Sequence, residues 1–209
     1  MDTVIPFLRT DRLMLRSLVP GDVACLRWLA SDPEVRRFFP NPNPPTREQV
    51  LIWFGRHQDL WKMRGFGVWG LMLNPSGGPD NRNGIAGDGS LAREPGSAGN
   101  SAATGRDNGV LIGWCGLQYL AETDEVEVAY LLGKRYWGCG YATEAAAASL
   151  SYGFLTAGLD RIIGLIHPHN HRSRRVLEKI GLRLVDCTAY FGMDVLRFAL
   201  DRAEYAAGV

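Results

Sequence analysis

The sequence lacks an excess of charge of either sign and any long run of apolar residues. Its 23 Lys and Arg residues nearly balance 22 Asp and Glu residues, for a formal net charge of +1. Nothing in this balance favours a nucleic acid or a membrane surface as a partner. No apolar stretch approaches the roughly 20 residues that cross a bilayer, and the N-terminus lacks the basic and apolar regions of a signal peptide. We expect a cytoplasmic protein.

The sequence also lacks paired cysteines and a complete nucleotide-binding motif. The four cysteines, Cys25, Cys115, Cys139 and Cys187, are scattered without a Cys-x-x-Cys pair, which is typical of reduced thiols. A P-loop is excluded because no Gly-Lys-Ser/Thr occurs. Gly138-x-Gly140-x-x-Thr143 lacks the third Gly or Ala of a dinucleotide fingerprint, and the strand that follows ends in a histidine rather than an acidic residue.

Residues 74–109 contain no aromatic side chain and are dense in Gly, Asn, Ser, Pro and Asp. Such a segment cannot bury enough apolar surface to offset its ordering entropy. We expect a single domain over residues 1–209, with 74–109 as a disordered loop insertion between two strands. Two interpretations of the insertion remain, a tolerated surface extension and a lid over a nearby site, and loop-length energetics favours the first.

Periodicity and turn residues predict the remaining elements. Strands are predicted at 12–18, 66–73, 111–120, 125–132, 161–167, 182–190 and 195–200. Helices are predicted from Pro20 with a break at Asp32-Pro33, after a capping box at Thr46–Gln49, and at 141–157 and 170–180. This order predicts an α/β (α+β) layered domain, in which helices flank a mixed sheet.

A glycine-containing loop lies between the strand at 125–132 and the helix at 141–157. Gly133 ends the strand, and Gly138 and Gly140 allow the backbone to approach a ligand that a Cβ would hold off. Free backbone N–H groups and the helix dipole converge at the N-terminus of the following helix. The arrangement predicts a site for a phosphate-bearing cofactor.

Two sequence blocks resemble one enzyme family. Arg135-x-x-Gly138-x-Gly140 resembles the acyl-CoA pyrophosphate loop of the GNAT superfamily of N-acetyltransferases. The string Tyr136-Trp-Gly-Cys-Gly-Tyr-Ala-Thr-Glu144 is similar to the RimJ/RimL-like branch, which acetylates the N-termini of ribosomal proteins. Asn170-x-x-Ser173, in a helix that ends in Lys179-Ile-Gly, resembles a second block of that branch. The resemblance implies the GNAT fold, with a mostly antiparallel sheet, and acetyl-CoA as co-substrate.

The resemblance also implies how the cofactor is held. The backbone of the 125–132 strand would pair with the pantetheine arm, the loop and the helix N-terminus would hold the pyrophosphate, and Asn170 would bind the arm from the other side. The implied cofactor-binding residues are Tyr130, Leu131, Leu132, Arg135, Tyr136, Trp137, Gly138, Cys139, Gly140, Tyr141, Ala142, Asn170 and Ser173. We expect no metal, because His167, His169 and His171 have no cysteine or carboxylate beside them.

Glu127 is the candidate general base, because it is a carboxylate within an otherwise apolar run and is costly there unless paired or used. An amine must lose its proton before it attacks a thioester. In the resembling family a glutamate of this strand often acts on the amine through water. Glu125 would lie on the same strand face, so the two carboxylates would raise each other's pKa if both are sheltered. The alternative role for Glu127 is an ion pair with a neighbouring arginine.

Ser173 is the candidate partner of the leaving thiolate. Many GNAT enzymes use a tyrosine of this helix, but the matching position here is Leu177. The resemblance implies a serine hydroxyl near the sulfur, whereas the alternative is that Ser173 simply caps the helix. Glu144 also matches the motif, and we expect it to have a structural role near the helix N-terminus.

These observations predict an N-acetyltransferase that transfers acetyl directly to a primary amine in a ternary complex. The acceptor implied by the resemblance is the N-terminal α-amine of a protein or peptide. Two alternatives remain open. One is acetylation of a small-molecule amine, such as an amino acid, polyamine or antibiotic, and the other is a non-catalytic acyl-CoA-binding module.

Overall fold

The computed structural model describes residues 4–74, 110–190 and 192–208. Their strands are β1 (Leu8–Arg9), β2 (Leu13–Arg16), β3 (Val68–Leu73), β4 (Leu111–Leu120), β5 (Glu125–Leu132), β6 (Arg161–Ile166), β7 (Arg183–Tyr190) and β8 (Met193–Asp201). Their helices are α1 (Val23–Ala30), α2 (Pro33–Arg36), α3 (Arg47–Arg64), α4 (Tyr141–Leu155), α5 (His171–Lys179) and α6 (Arg202–Ala206). Short 3₁₀ turns cover Pro20–Asp22 and Lys134–Tyr136.

The described strands form one sheet in the order β1-β2-β3-β4-β5-β6-β8-β7. The pairing of β5 with β6 is parallel, and the other strand pairings are antiparallel. β5 and β6 lie near the middle of the sheet. They can be parallel because α4 crosses over between them. The predicted mixed, mostly antiparallel sheet is therefore confirmed.

Helices cover both faces of this sheet. Leu71 and Met72 are neighbours on β3, so their side chains point to opposite faces. Leu71 belongs to the cluster that contains Ala145 and Ala146 of α4, whereas Met72 packs with Leu26 of α1 and other residues of α1 and α3. Both alanines are fully buried, so α4 packs directly against the sheet, mainly against β4 and β5.

The helix boundaries follow the capping signals of the sequence. Thr46 and Gln49 form the predicted capping box of α3, and Gly65 ends that helix in the left-handed conformation with φ +70°. Asp32 caps α2 by accepting a hydrogen bond from the N–H of Glu34. The predicted break at Asp32-Pro33 is therefore confirmed.

Two elements were not predicted. β1 has two residues and is too short to show a period, and α6 has five residues and directly continues β8. The first predicted strand also ends earlier, at Arg16. The predicted disordered insertion at 74–109 lies outside the described residues, apart from Asn74, whose N–H donates to the Arg12 carbonyl.

Candidate active site

The parallel strands β5 and β6 leave an opening between them. Glu127 lies opposite Ile163, and this is the single pair of residues in the register between the two strands. β5 nevertheless continues to Leu132 and stays paired with β4 along its length. The backbone of Tyr130 and Leu131 therefore borders β4 on one side and is not paired with β6 on the other. Unpaired backbone groups at such an opening can bond the amides of a ligand.

Glu127 lies at the inner end of this opening. Its side chain is buried, with 8% exposure, and its carboxylate accepts hydrogen bonds from Gln118 Nε2 at 2.6 Å and from the N–H of Leu165 at 3.2 Å. Burial raises the pKa of Glu127 to about 7, although both hydrogen bonds act to lower it. A carboxyl group with this pKa can take up and release a proton near neutral pH.

The ion pair with arginine that was the alternative for Glu127 is formed instead by Glu125. Arg197 bonds Glu125 at 3.2 Å and Asp186 at 2.6 Å. The condition for the expected coupling, that both carboxylates are sheltered together, is therefore not met. Burial raises the pKa of Glu127, while Arg197 offsets the charge of Glu125.

The glycine loop has the predicted geometry. β5 ends at Leu132, and Gly138 and Gly140 adopt left-handed conformations with φ +79° and +83°. A side chain at either position would be strained, because L-residues rarely adopt these values. Apart from the two neighbours of Gly138 in the chain, no atom of the described residues lies within 4 Å of the position that its Cβ would occupy, so this side of the loop is open to them.

The N-terminus of α4 faces the same loop. The first helical hydrogen bond runs from the N–H of Glu144 to the carbonyl of Gly140 at 3.0 Å. The N–H groups of Tyr141, Ala142 and Thr143 precede it and have no helical partner. With the dipole of a 15-residue helix behind them, these groups fit the pyrophosphate of an acyl-CoA.

Arg12 fastens β2 to this loop, a role that sequence analysis missed. Its guanidinium bonds Glu144 Oε2 at 2.7 Å and the Cys139 carbonyl at 2.8 Å, and it lies 4.8 Å from the centre of the Tyr141 ring. Thr10 donates to Glu144 Oε1 at 2.6 Å. Glu144 therefore has the expected structural role. Its contact with Arg12 was missed because the two residues are 132 positions apart in the sequence.

Partial burial acts to raise the pKa of Glu144. The hydrogen bonds from Thr10 and Arg12 and the charge of Arg12 act to lower it and together outweigh burial, so the pKa lies below its usual value. The carboxylate is thus held in its charged form. Its negative charge lies in the first turn of α4, where it interacts favourably with the helix dipole.

Side chains of the loop are used to hold its shape. The indole N–H of Trp137 donates to the Leu132 carbonyl at 2.8 Å, which occupies one of the carbonyls expected to face the pantetheine arm. Arg172 of α5 stacks over the Trp137 ring at 5.0 Å, and Arg135 lies over Tyr136 at 4.8 Å. The loop therefore contacts the first turn of α5.

The start of α5 carries the second predicted block. Asn170 caps the helix, with its Oδ1 accepting from the N–H of Ser173 at 3.1 Å. Asn170, rather than the Ser173 hydroxyl, is therefore the cap of α5. The hydroxyl of Tyr130 donates to the Ser173 carbonyl at 3.3 Å and so links β5 to α5. Leu177 is buried over Gly164, consistent with an apolar residue at that position.

The acceptor side of the opening is aromatic. Trp53 of α3 packs against Trp114 of β4, with ring centres 5.1 Å apart, and against His57 at 4.5 Å. Phe38, which follows α2, contacts His167 at 5.2 Å. The contact between Trp53 and Trp114 was not predicted from the sequence, because the pairing of α3 with β4 has no local signal.

The histidines and helices fit no metal site or membrane span. Across residues 4–74, 110–190 and 192–208, no group of three or more His, Cys, Asp or Glu side chains is arranged to hold a metal ion. The N–H of His169 donates to His167 Nδ1 at 3.2 Å.

In the same described ranges, no helix combines the length and apolar character needed to cross a membrane.

Comparison with known proteins identifies the family. Residues 12–183 match the acetyltransferase (GNAT) domain, and the chain belongs to this family. It is an acetyl-CoA-dependent N-acyltransferase, in agreement with the opening, the glycine loop and the buried glutamate.

Two relatives show how far the similarity extends. The chain is 30% identical to the uncharacterized protein YkkB of Bacillus subtilis (strain 168) over 178 residues, which cover 84% of each chain. It is 29% identical to the uncharacterized N-acetyltransferase p20 of Bacillus licheniformis, over 95% of this chain and 98% of the relative.

Solved structures show the same fold. A GNAT-family acetyltransferase from Bacillus anthracis has a TM-score of 0.68 at 22% identity, over 95% of this chain and 100% of that chain. The spermidine N-acetyltransferase of Vibrio cholerae, in complex with CoA and spermine, has a TM-score of 0.64 at 14% identity, over 94% and 99% of the two chains. The aminoglycoside acetyltransferase AAC(6')-Ib, in complex with coenzyme A, has a TM-score of 0.64 at 15% identity, over 94% and 98%.

Proposed function

We propose that the protein transfers the acetyl group of acetyl-CoA directly to the N-terminal α-amine of a protein or peptide, within a ternary complex. The observation that carries this proposal is the buried Glu127, whose pKa is raised to about 7. A free α-amine has a pKa of about 7.7–8.0, whereas that of lysine is about 10.4. A base that is about half ionised at pH 7 is well matched to the first kind of amine.

In this mechanism Glu127 receives the proton of the ammonium group, directly or through a water. Gln118 and the N–H of Leu165 hold its carboxyl group in place. The acetyl thioester supplies the acyl group, so the amine nitrogen forms a bond to the carbonyl carbon as the carbon–sulfur bond breaks. The hydroxyl of Ser173 donates a hydrogen bond to the departing sulfur, and solvent supplies the proton of the CoA thiol.

The proposed cofactor contacts follow the predicted set. The N–H groups at the start of α4 and the loop bind the pyrophosphate, and the open edge of β5 binds the pantetheine arm. The residues are Tyr130, Leu131, Leu132, Arg135, Tyr136, Trp137, Gly138, Cys139, Gly140, Tyr141, Ala142, Asn170 and Ser173.

The free state of the four cysteines supports a cytoplasmic location, where thiols stay reduced.

The resemblance of the strings at 136–144 and 170–181 to the RimJ/RimL-like branch supports an α-amine acceptor. The second candidate is a small-molecule amine, because relatives of the same fold act on spermidine and aminoglycosides. A non-catalytic acyl-CoA-binding module is disfavoured, because it would have no need for a buried carboxylate with a raised pKa.

A peptide that carries both a free N-terminus and one internal lysine tests the proposal. The protein, acetyl-CoA and the peptide are incubated at pH 7.5, and tandem mass spectrometry locates the added acetyl group. We expect acetylation of the α-amine. Acetylation of the lysine alone, or no transfer to the peptide alongside rapid transfer to a small amine, would contradict the α-amine assignment.

A further inference from the structure

On the strand face that carries Glu127, the next residue is the small, partly exposed Ala129, and we call the surface above Ala129 the depression. Glu127, Ala129 and Leu131 lie on the same face of β5, because side chains alternate along a strand. Glu127 and Leu131 are buried, whereas Ala129 between them is partly exposed, and its partner on β4 is Gly116. The smallest pair of the ladder therefore lies about 7 Å from the Glu127 position along β5. A group attached to an amine that reaches Glu127 would lie over Ala129, because the backbone of Gly67 and Val68 fills the space above Gly116.

The far wall of this depression is apolar and aromatic. Trp114 lies opposite Leu131 in the β4–β5 register, and Leu131 packs with Val35 of α2. Trp53 extends the wall through its ring contact with Trp114. Both indoles remain partly exposed, so they still present apolar surface to a ligand.

The surroundings offer little negative charge. Asp22 is bonded by Arg16 at 2.8 Å, Asp32 caps α2, and Asp59 pairs with Lys62. His57, beside Trp53, is also uncharged, because burial lowers its pKa to about 4, and its Nδ1 is buried without a hydrogen-bond partner. Glu127, which is bonded by Gln118 and a backbone N–H rather than by a cation, is the carboxylate next to Ala129 on this strand face.

Positive charge lies at the rim instead. Arg37 stacks on Phe38 at 5.4 Å, and Phe38 in turn contacts His167 beyond β6. Arg37 is exposed and forms no ion pair with any described residue. A second cation on the acceptor would meet this guanidinium without a carboxylate to offset it.

We propose that the acceptor carries a large apolar or aromatic side chain next to its reacting amine and no second positive charge nearby. For a peptide, this means an N-terminal residue such as Phe, Leu or Met. The inference rests on the proposed function, since it assigns a substrate class to the same site. It separates this chain from enzymes that acetylate polycations.

A set of peptides with identical sequences after the first residue tests the inference on the wild-type protein. The first residue is Phe, Leu, Ala or Lys, and CoA release is followed with a thiol reagent. Filling an apolar pocket favours the larger group, so kcat/KM for Phe or Leu should exceed that for Ala by about tenfold or more. The Lys peptide should fall below the Ala peptide. Equal rates for all four peptides would overturn the inference.

Small amines keep the inference distinct from the proposed function. Phenethylamine, ethylamine and spermidine are compared in the same assay. If no peptide is acetylated but phenethylamine reacts faster than ethylamine and spermidine, the proposal of a peptide α-amine fails. The inference that the acceptor carries an apolar group next to its amine then still holds. Preference for spermidine, or turnover of none of the peptides and amines, would overturn the acceptor class.

Variants of α3 locate the preference. Trp53→Ala removes the indole, so the ratio of kcat/KM between the Phe and Ala peptides should fall towards one. Trp53→Phe is the milder variant, and it should keep most of the ratio. The control is Ile52→Ala, since Ile52 is adjacent in sequence but half exposed (50%), and its ratio should match the wild type. An unchanged ratio in folded Trp53→Ala, judged by its thermal unfolding midpoint, would contradict the assignment of the wall.

Discussion

At the scale of single residues, burial sets the charge of the two polar side chains nearest the proposed acceptor. Burial raises the pKa of Glu127 and lowers that of His57, since in both cases it disfavours the charged form. The consequences for stability have opposite signs. The contribution of Glu127 is lost as the pH rises from about 4.5 to about 7, whereas that of His57 is lost as the pH falls from about 6.5 to about 4.

The His57 contribution can be measured by unfolding. The histidine of the unfolded chain has a pKa near 6.5, and that of folded His57 is about 4. The contribution of His57 to stability should therefore be lost as the pH is lowered from about 6.5 to 4, by on the order of 3 kcal/mol. In His57→Leu this part of the acid dependence should disappear from urea unfolding curves.

The matched control is His171→Ala, since His171 is exposed on α5. It should keep the acid dependence of the wild type. Glu127 titrates in an overlapping range, but it is present in all three proteins and cancels in the comparison. A His57→Leu variant with the full acid dependence would show that His57 is not neutral in the fold.

Single residues also show what the sequence could and could not predict. Glu127 was predicted because a carboxylate in an apolar strand is costly without a use or a partner. Gln118, which bonds it, was not predicted, because the pairing depends on the register of β4 against β5. That register is fixed by the turn between the strands and by packing on α4, neither of which has a one-residue signal.

At the scale of elements, β2, the glycine loop and α4 form one unit through Arg12. The guanidinium of Arg12 bonds a carboxylate of α4 and a carbonyl of the loop, and hydrogen bonds to charged groups are among the stronger ones. The loop that we propose to bind the pyrophosphate is therefore held in shape from outside its own sequence.

Arg12→Gln should weaken acetyl-CoA binding, because the loop loses this support and exchanges among conformations that do not bind. We expect an increase of about three- to tenfold in Kd by calorimetry. The control is Arg9→Gln, because Arg9 is an exposed neighbour that bonds Asn74, and it should bind like the wild type. An unchanged Kd in Arg12→Gln would mean that the loop keeps its shape unaided.

The cap of α5 gives a second prediction for an element. Asn170→Ala leaves the N–H of Ser173 without its acceptor, so the free energy of unfolding should fall by about 1 kcal/mol. Asn170→Asp keeps a capping oxygen and should restore most of this stability. Urea unfolding of the three proteins measures the difference. Equal stability of the Ala and Asp variants would show that the cap contributes nothing.

The elements themselves were largely predictable. The bounds of β4 and β5 agree with the predicted 111–120 and 125–132, because both strands are apolar runs bounded by turn residues. The short β1 and α6 were missed, because neither is long enough to show a period. Which strands meet in the sheet, and where β5 and β6 part, depends on contacts distant in sequence.

At the scale of the whole molecule, the proposed ligand should stabilise the fold. A ligand that binds only the folded chain adds about 2.7 kcal/mol at a hundredfold excess over its Kd. Acetyl-CoA should therefore raise the thermal unfolding midpoint of the wild type by several degrees. Gly138→Trp should lack this increase, because its ring would fill the open side of the loop.

Ala147→Trp provides a control for that experiment, because Ala147 is exposed on α4 beyond the loop. It should respond to acetyl-CoA like the wild type. A ligand-induced shift that persists in Gly138→Trp would put the cofactor elsewhere. Wild-type protein with no shift and no calorimetric binding would contradict the use of the loop altogether.

The central claim is that Glu127 accepts the proton of an α-amine, and the pH dependence of turnover tests it most directly. Steady-state kcat/KM for a peptide acceptor is measured from pH 5.5 to 9.5 in the wild type and in Glu127→Gln, with acetyl-CoA binding measured in parallel. We expect the wild-type rate to rise through a pKa near 7 and through that of the amine. In Glu127→Gln the rate should fall by about a hundredfold or more and lose the limb near pH 7, while acetyl-CoA still binds. A variant with the wild-type rate and both limbs would contradict the account.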